Sequence, residues 1–185
     1  MDNIIFYKEW LPLNKKDFRI LAMLADQGEF NGNLSDLCRY FSLSPQTSNR
    51  TQLRTSIDLL TRAGFIQCGH RGRRYTLKVV PKEEEIEIPR EWFLTLLHHD
   101  YTSESVAWEQ VLKVYLWIAA NDLPVITNAL IAEDLSISTS TIGCAKNVLQ
   151  KEYNAIIRKQ VSEKCGDSFQ TIGQELVANA WWNVK

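Results

Sequence analysis

Four cysteines, five prolines and eight glycines are spread thinly over 185 residues, and no C-x-x-C pair occurs. Cys38, Cys68, Cys144 and Cys165 stand apart from one another and from any histidine cluster, which supports neither a zinc knuckle nor a disulfide framework. They read as reduced packing residues of a cytoplasmic protein. No apolar run approaches the roughly 18 residues needed to span a bilayer, so no membrane partner is expected. The opening MDNIIFYKEWLPL has neither a basic leader nor a small-residue cleavage site, so export is not expected. A P-loop, a dinucleotide fingerprint and G-x-S-x-G are also missing. The one tempting cluster is His98-His99-Asp100, but neighbouring residues on a helix point in different directions and no third ligand stands at metal spacing. It reads as a surface pair. The expectation is a protein that is not an enzyme, with no catalytic residues, no metal and no cofactor.

The chain is 45% hydrophobic and 23% charged, within the range of folded globular proteins, and long enough for two small domains. Its net charge of −1 conceals a segregation. Residues 1–80 carry 12 basic and 7 acidic side chains, whereas residues 81–185 carry 9 and 15. A basic half beside an acidic half points to one anion-binding module and one module with a different duty.

Helical periodicity runs from Lys15 to Gln27, with Asn14 as N-cap and Gly28 as stop. A connection, Glu29-Phe30-Asn31-Gly32, leads to a short helix capped by Asn33 or Ser35. Ser42-Leu43-Ser44-Pro45 breaks that helix and leaves Leu43 free to plug the core. A third helix follows from Gln46 to Ala63, with Leu53, Ile57, Leu59 and Leu60 as apolar members and Gly64 as C-cap. Phe65–Cys68 reads as a strand, His70–Arg74 as a turn and Tyr75–Val80 as a returning strand. Three helices and a basic-tipped hairpin in that order predict a winged helix-turn-helix over residues 1–80.

Pro81–Pro89 is acidic and bracketed by prolines, as linkers are, and residues 90–185 are expected to form a second domain. There, helices are predicted at Arg90–His98 and Ser103–Asn121, the latter capped by Ser103 or Ser105. From Pro124 the first layout recurs: a short Val125-Ile126 strand, a helix from Thr127 to Leu135, a Ser136-Ile137-Ser138 turn and a helix from Thr139 to Glu152. Strands at Ala155–Val161 and Phe169–Ile172 flank a Gly166-Asp167 turn, before a terminal helix from Glu175 to Trp182. The fold class is thus mainly α with small β-hairpin wings, an α+β chain of two winged-helix-like modules in tandem. The alternative for the second module is a plain helical bundle.

In a helix-turn-helix the third helix meets base edges in the major groove. Here its front offers Gln46, Thr47, Ser48, Asn49, Arg50, Gln52 and Arg54, with Asn49 and Arg50 the first candidates for base contact. Taken alone, such a run is equally well a solvated polar face. The hairpin tip adds His70, Arg71, Arg73 and Arg74, which repel one another unless an anion such as phosphate is present. The matching helix of the second module carries only Lys146 as a cation, so that half is expected to contact protein, as a homodimer or with another partner. Trp181 and Trp182 read as core closure or a partner anchor.

The stretch NLSDLCRYFSLSPQTSNRTQLRTSIDLLTRAGFI followed by the wing resembles bacterial winged-helix DNA-binding proteins. The two-module layout and the opening FYKEWLPL are similar to plasmid and phage replication initiators. The resemblance implies sequence-specific binding of double-stranded DNA by a nucleoid-associated protein, in replication or in transcriptional regulation of a mobile element. A tandem winged-helix scaffold that binds protein is the reading from another class, and the arginine tip distinguishes the two.

Overall fold

The computed structural model describes residues 2–102, 104–121, 123–165 and 168–179. The chain is a mixed α and β protein with small antiparallel sheets, and it divides into two compact units. One comprises residues 14–83, the other residues 1–13 with 84–185. In chain order the elements are β1 (Asn3–Tyr7), a 3-10 turn (Lys8–Trp10), α1 (Lys15–Gln27), β2 (Glu29–Gly32), α2 (Leu34–Tyr40) and α3 (Thr47–Arg62). There follow β3 (Ile66–Arg71), β4 (Arg74–Val79), β5 (Glu85–Pro89), α4 (Arg90–His98), α5 (Trp108–Ala120), α6 (Asn128–Leu135), α7 (Thr139–Lys151), β6 (Ile156–Cys165) and β7 (Ser168–Ala178).

In the 14–83 unit α1 and α2 start where oxygen side chains meet the orphan amides of a first turn. Asn14 accepts from the amides of Lys16 and Asp17, and Asn33 from those of Ser35 and Asp36, with Asp36 returning the contact to the Asn33 amide. Gly28 ends α1 at φ 75°, a conformation that costs glycine little. The core joins Phe18, Leu21 and Leu24 of α1 to Leu37 of α2, to Ile57 and Leu60 of α3 and to Leu77 of β4. Two expected core members fall outside it: Leu59 is exposed and Leu43 only half-buried. Residues 29–32, expected as a connection, are a strand on β4, giving the sheet order β2-β4-β3. The hairpin is also longer than predicted, since its strands run through Arg71 and from Arg74 and leave only Gly72 and Arg73 in the turn. Gly72, at φ 62°, makes that two-residue turn possible.

In the other unit, the second half of the expected linker is β5. Ile86 and Ile88 point inward and Glu85 and Glu87 outward, a period of two that buries one face. Its antiparallel partner is β1, with Ile4 opposite Ile88 and Phe6 opposite Ile86. Residues 1–13 therefore pack with the C-terminal half and not, as expected, with the first module. Trp10, Phe6 and Phe93 cluster beside them. Helix α5 is buried on all sides, Val111 through Ile118 without a break, as befits a central helix. It starts at Trp108, later than expected; Ser105 does not cap it, and Ser103 lies outside the described residues. The Glu175–Trp182 helix is overturned for its first four residues, which are strand β7; Trp181, Trp182 and the Gly166-Asp167 turn lie outside the described residues.

The order of elements around α6 and α7 repeats that around α2 and α3. Ser42 and Ser136 both sit at φ 54°, and the next amides, Leu43 and Ile137, bond to carbonyls five residues back, on Cys38 and Ala132. In each unit the residue or strand preceding this helix pair bonds to the second strand of the hairpin that follows it. For the first this is β2 on β4, and for the second it is Ile126 bridged to Gln174 of β7. Gly173 beside that bridge has no room for a side chain: a Cβ there would lie 2.5 Å from Val125 Cγ1 and 3.1 Å from the Ile126 carbonyl oxygen.

Candidate functional site

Within the 14–83 unit, α2, α3 and the hairpin enclose an open cleft of about 650 Å³. Helix α3 contributes Thr47, Arg50, Thr51 and Arg54, whose spacing of three and four places them on one face. The hairpin contributes His70, Gly72, Arg73 and Tyr75, and α2 with its cap contributes Asn33, Leu34, Ser35 and Arg39. No carboxylate is among these lining residues. Arg39 ion-pairs with Asp36 at 2.8 Å, both exposed enough for solvent to weaken the pair. Arg50 reaches the Thr47 hydroxyl at 3.5 Å, and His70 stacks edge-on against Tyr75, its cross-strand neighbour. The result is a wall of guanidinium, imidazole, hydroxyl and amide groups, suited to a polyanion.

Of the residues predicted from sequence, Thr47, Arg50, Arg54, His70 and Arg73 converge on this cleft. The others do not. Gln46 is the N-cap residue of α3 and makes no side-chain cap bond, and Ser48 is exposed away from the cleft lining. Asn49 turns back instead of outward, its amide donating to the Ser44 carbonyl at 2.8 Å and to the Ser44 hydroxyl at 3.4 Å. It ties α3 to the preceding turn. Gln52 accepts from Lys16 of α1 at 2.7 Å. Arg71 and Arg74 face each other across the strands, and Arg74 reaches the carbonyl and the side-chain oxygen of Asn31 at 3.3 and 3.4 Å. Strand alternation puts this pair on the hairpin face opposite His70 and Tyr75. Sequence reasoning missed Arg39, Asn33, Ser35, Thr51 and Tyr75. The i, i+4 spacing of Thr47 and Thr51 was the available signal for one of them; the rest needed the fold.

Cys38, buried behind α3, has its thiol pushed up by burial against the opposing pull of Arg50, which keeps it protonated and inert. Cys68 and Cys144 are half-buried, and Cys165 is exposed, contrary to its expected packing role.

Among its described residues the second unit offers no matching cationic face. Lys146, the cation expected at the front of α7, is buried, its ammonium donating to Asn128 at 2.7 Å and Gln174 at 2.6 Å. Desolvation and the nearby Arg158 push its pKa down to about 8. What α7 exposes at its N-terminus is hydroxyl: Ser138 caps Thr141 and its oxygen lies 2.9 Å from that of Ser140. The two units also divide the charge more sharply than the halves of the chain. The 14–83 unit carries 12 basic and 6 acidic side chains, the other 9 and 16.

His98 is exposed, but His99 is not the surface residue expected. Its ring stands between Tyr101 and Tyr153, with centroids 4.5 and 5.4 Å away, and its Nδ1 hydrogen-bonds the Tyr153 hydroxyl. Burial foremost raises the Tyr101 phenol, which donates to the Leu96 carbonyl. This is packing that joins α4 to the end of α7. Among the described residues, no group of three or more His, Cys, Asp or Glu is placed to hold a metal ion, and no helix is long and apolar enough to cross a membrane.

No protein-family model matches the chain, and a search of curated proteins finds no match.

Proposed function

We propose that residues 14–83 form a winged helix-turn-helix that binds double-stranded DNA. In this reading the chain is a sequence-specific, non-enzymatic replication initiator or transcriptional regulator of a bacterial mobile element. The cleft carries the proposal: Arg50 and Arg54 from one helix face, with His70 and Arg73 from the hairpin, surround a space without carboxylates. Cations drawn together at the surface repel one another unless an anion joins them, and phosphate is the anion that a duplex presents along its length. Helix α3 meets the groove through Thr47, Arg50, Thr51 and Arg54, its guanidiniums neutralising phosphate at the groove wall as well as reaching base edges, and the hairpin supplies further affinity and register on the backbone. Asn49 is a positioning residue, holding the turn that aims α3.

The recurring Ser turn and the strand-to-hairpin pairing support a second winged-helix module built on α6, α7, β6 and β7. With Lys146 inside and a net acidic charge over its unit, this module meets protein and not DNA. The same observation is what a scaffold reading of the whole chain would draw on. The cationic cleft speaks against extending it to residues 14–83.

The test is a selection of random duplexes on the purified chain at about 0.15 M salt, a physiological ionic strength. An enriched motif that is lost on replacing Arg50 and Arg73 with alanine supports specific DNA binding. Retention of no duplex overturns it and leaves the scaffold reading.

A further inference from the structure

We propose that the outer edge of β6 is where a second copy of this chain adds, antiparallel about a two-fold axis at Val161, to make a four-stranded sheet. This stands apart from the DNA-binding reading, because it uses no residue of the 14–83 unit.

The starting observation is an incomplete sheet. β6 and β7 are ten and eleven residues long, yet their sheet has only these two strands. A lone two-stranded ribbon is marginally stable in water, and a third strand or a packed face is what makes it durable. The β7 edge is met at Gln174 by Ile126, whereas no strand among the described residues lies on the outer edge of β6. One side of the ribbon stays on the core as far as Leu176, opposite Arg158, and on Ile126 at Gln174, while the rest displays apolar side chains: Phe169 is 74% exposed, and Ile157, Ile172 and Val177 are each more than 40% exposed. Those side chains sit on a ribbon that offers unpaired backbone groups for another chain to extend.

The charge pattern on β6 selects the occupant. In an antiparallel pair, opposite residues direct their backbone groups alike, so a strand that pairs with itself must be centred on a residue and not between two. Centred on Val161, Lys159 lies opposite Glu163 of the other copy, twice by symmetry, with Val161 against Val161 between them. Within its own copy Lys159 reaches Glu175 of β7 at 3.4 Å, an exposed pair that solvent weakens and that leaves the ammonium open to a second carboxylate. Ile157 then lies opposite Cys165, an apolar side chain against an exposed thiol. On the other face Arg158 would meet Lys164, but Arg158 is drawn onto its own α7, where it donates to Asn147 at 3.2 Å. Centring on Val161 thus sets two opposite-charge pairs beside an apolar centre, the arrangement that cross-strand pairing rewards.

The experiment is sedimentation equilibrium of the full chain at micromolar concentration, with Lys159→Glu and the swap Lys159→Glu/Glu163→Lys alongside. The wild type is expected to dimerise. Lys159→Glu sets like charges opposite one another twice and should weaken the dimer by on the order of tenfold or more. The swap should restore it. A monomer throughout, a dimer indifferent to Lys159→Glu, or a swap that fails to recover would each overturn the proposal. Should either charge variant melt earlier than wild type, Ile157→Cys decides, since Ile157 is exposed and its replacement leaves the core intact. Oxidation with diamide should then join the introduced thiol of one copy to Cys165 of the other, located by mass spectrometry. The introduced thiol should not reach Cys165 of its own copy, because the two positions lie eight residues apart along one strand, roughly 27 Å at about 3.4 Å per residue. Absence of the bridge between copies would overturn the register.

Discussion

Replacing Arg50, Arg54 and Arg73 together with alanine removes three of the guanidiniums that line the cleft. All three are exposed, so folding should change by no more than about 0.5 kcal/mol for each. If each neutralises one phosphate, the slope of log Kobs against log salt becomes shallower by about 0.9 per contact, or about 2.7 in all. Between about 50 and about 200 mM salt, that is an affinity loss roughly 40-fold smaller than in the wild type. The assay is fluorescence anisotropy of a labelled duplex titrated across that salt range. Arg71→Ala with Arg74→Ala is the internal comparison, because this pair occupies the other hairpin face and Arg74 is engaged by Asn31. It should move the slope by less than one unit. A slope unchanged in the triple variant, or an equal change in both sets, would refute the assignment of the cleft as the phosphate site.

Asn49→Ala should cost about 1 kcal/mol in urea unfolding, the net worth of a hydrogen bond, while leaving base preference as it was. Lost preference at unchanged stability would return Asn49 to the base-contacting role that the sequence suggested. Lys146→Met tests the buried ammonium through its pH dependence. The folded pKa is depressed to about 8 from 10.5, so between these values the unfolded chain holds more protons and stability rises with pH. A shift of that size corresponds to about 3 kcal/mol over the whole window. Part of it should be visible between about pH 8 and pH 9.5 as a rise in the unfolding free energy of the wild type relative to the Met variant, a difference in which the opposite contribution of the Cys38 and Cys68 thiols, raised by burial, cancels. A difference that stays flat across that range would mean that the ammonium is not responsible.

The helices of the first unit were legible because their ends carry local signals. Asn14, Asn33, Gly28 and Gly64 act on amides and dihedrals within a few residues, and each appears in the structure at the end it was assigned. The short strands were less visible. β2 has four residues, and it becomes a strand only because β4, more than forty residues later, provides its partners. β5 was hidden by composition: its glutamates and flanking prolines look like a linker, although Ile86 and Ile88 alternate with those glutamates. Its pairing with β1 also decided which half of the chain the first thirteen residues join. β7 was read as a helix from Glu175 because a short apolar stretch has no decisive period until its register with β6 is known.

The candidate site divides in the same way. The sequence by itself determined that the basic residues crowd into the first unit, that α3 begins with polar and cationic side chains, and that a glycine turn would carry arginines. These follow from residue type and near-neighbour spacing, which act over a few bonds. Only the tertiary structure decided which of them share a space. Alternation along the hairpin sends His70 to one face and Arg71 and Arg74 to the other, the turn captures Asn49, and helical rotation places Thr47, Arg50 and Arg54 together. It likewise buried Lys146 between Asn128 and Gln174, residues 18 and 28 positions away. Whether a charge faces solvent or its own core depends on what the distant chain brings against it, and no local pattern encodes that.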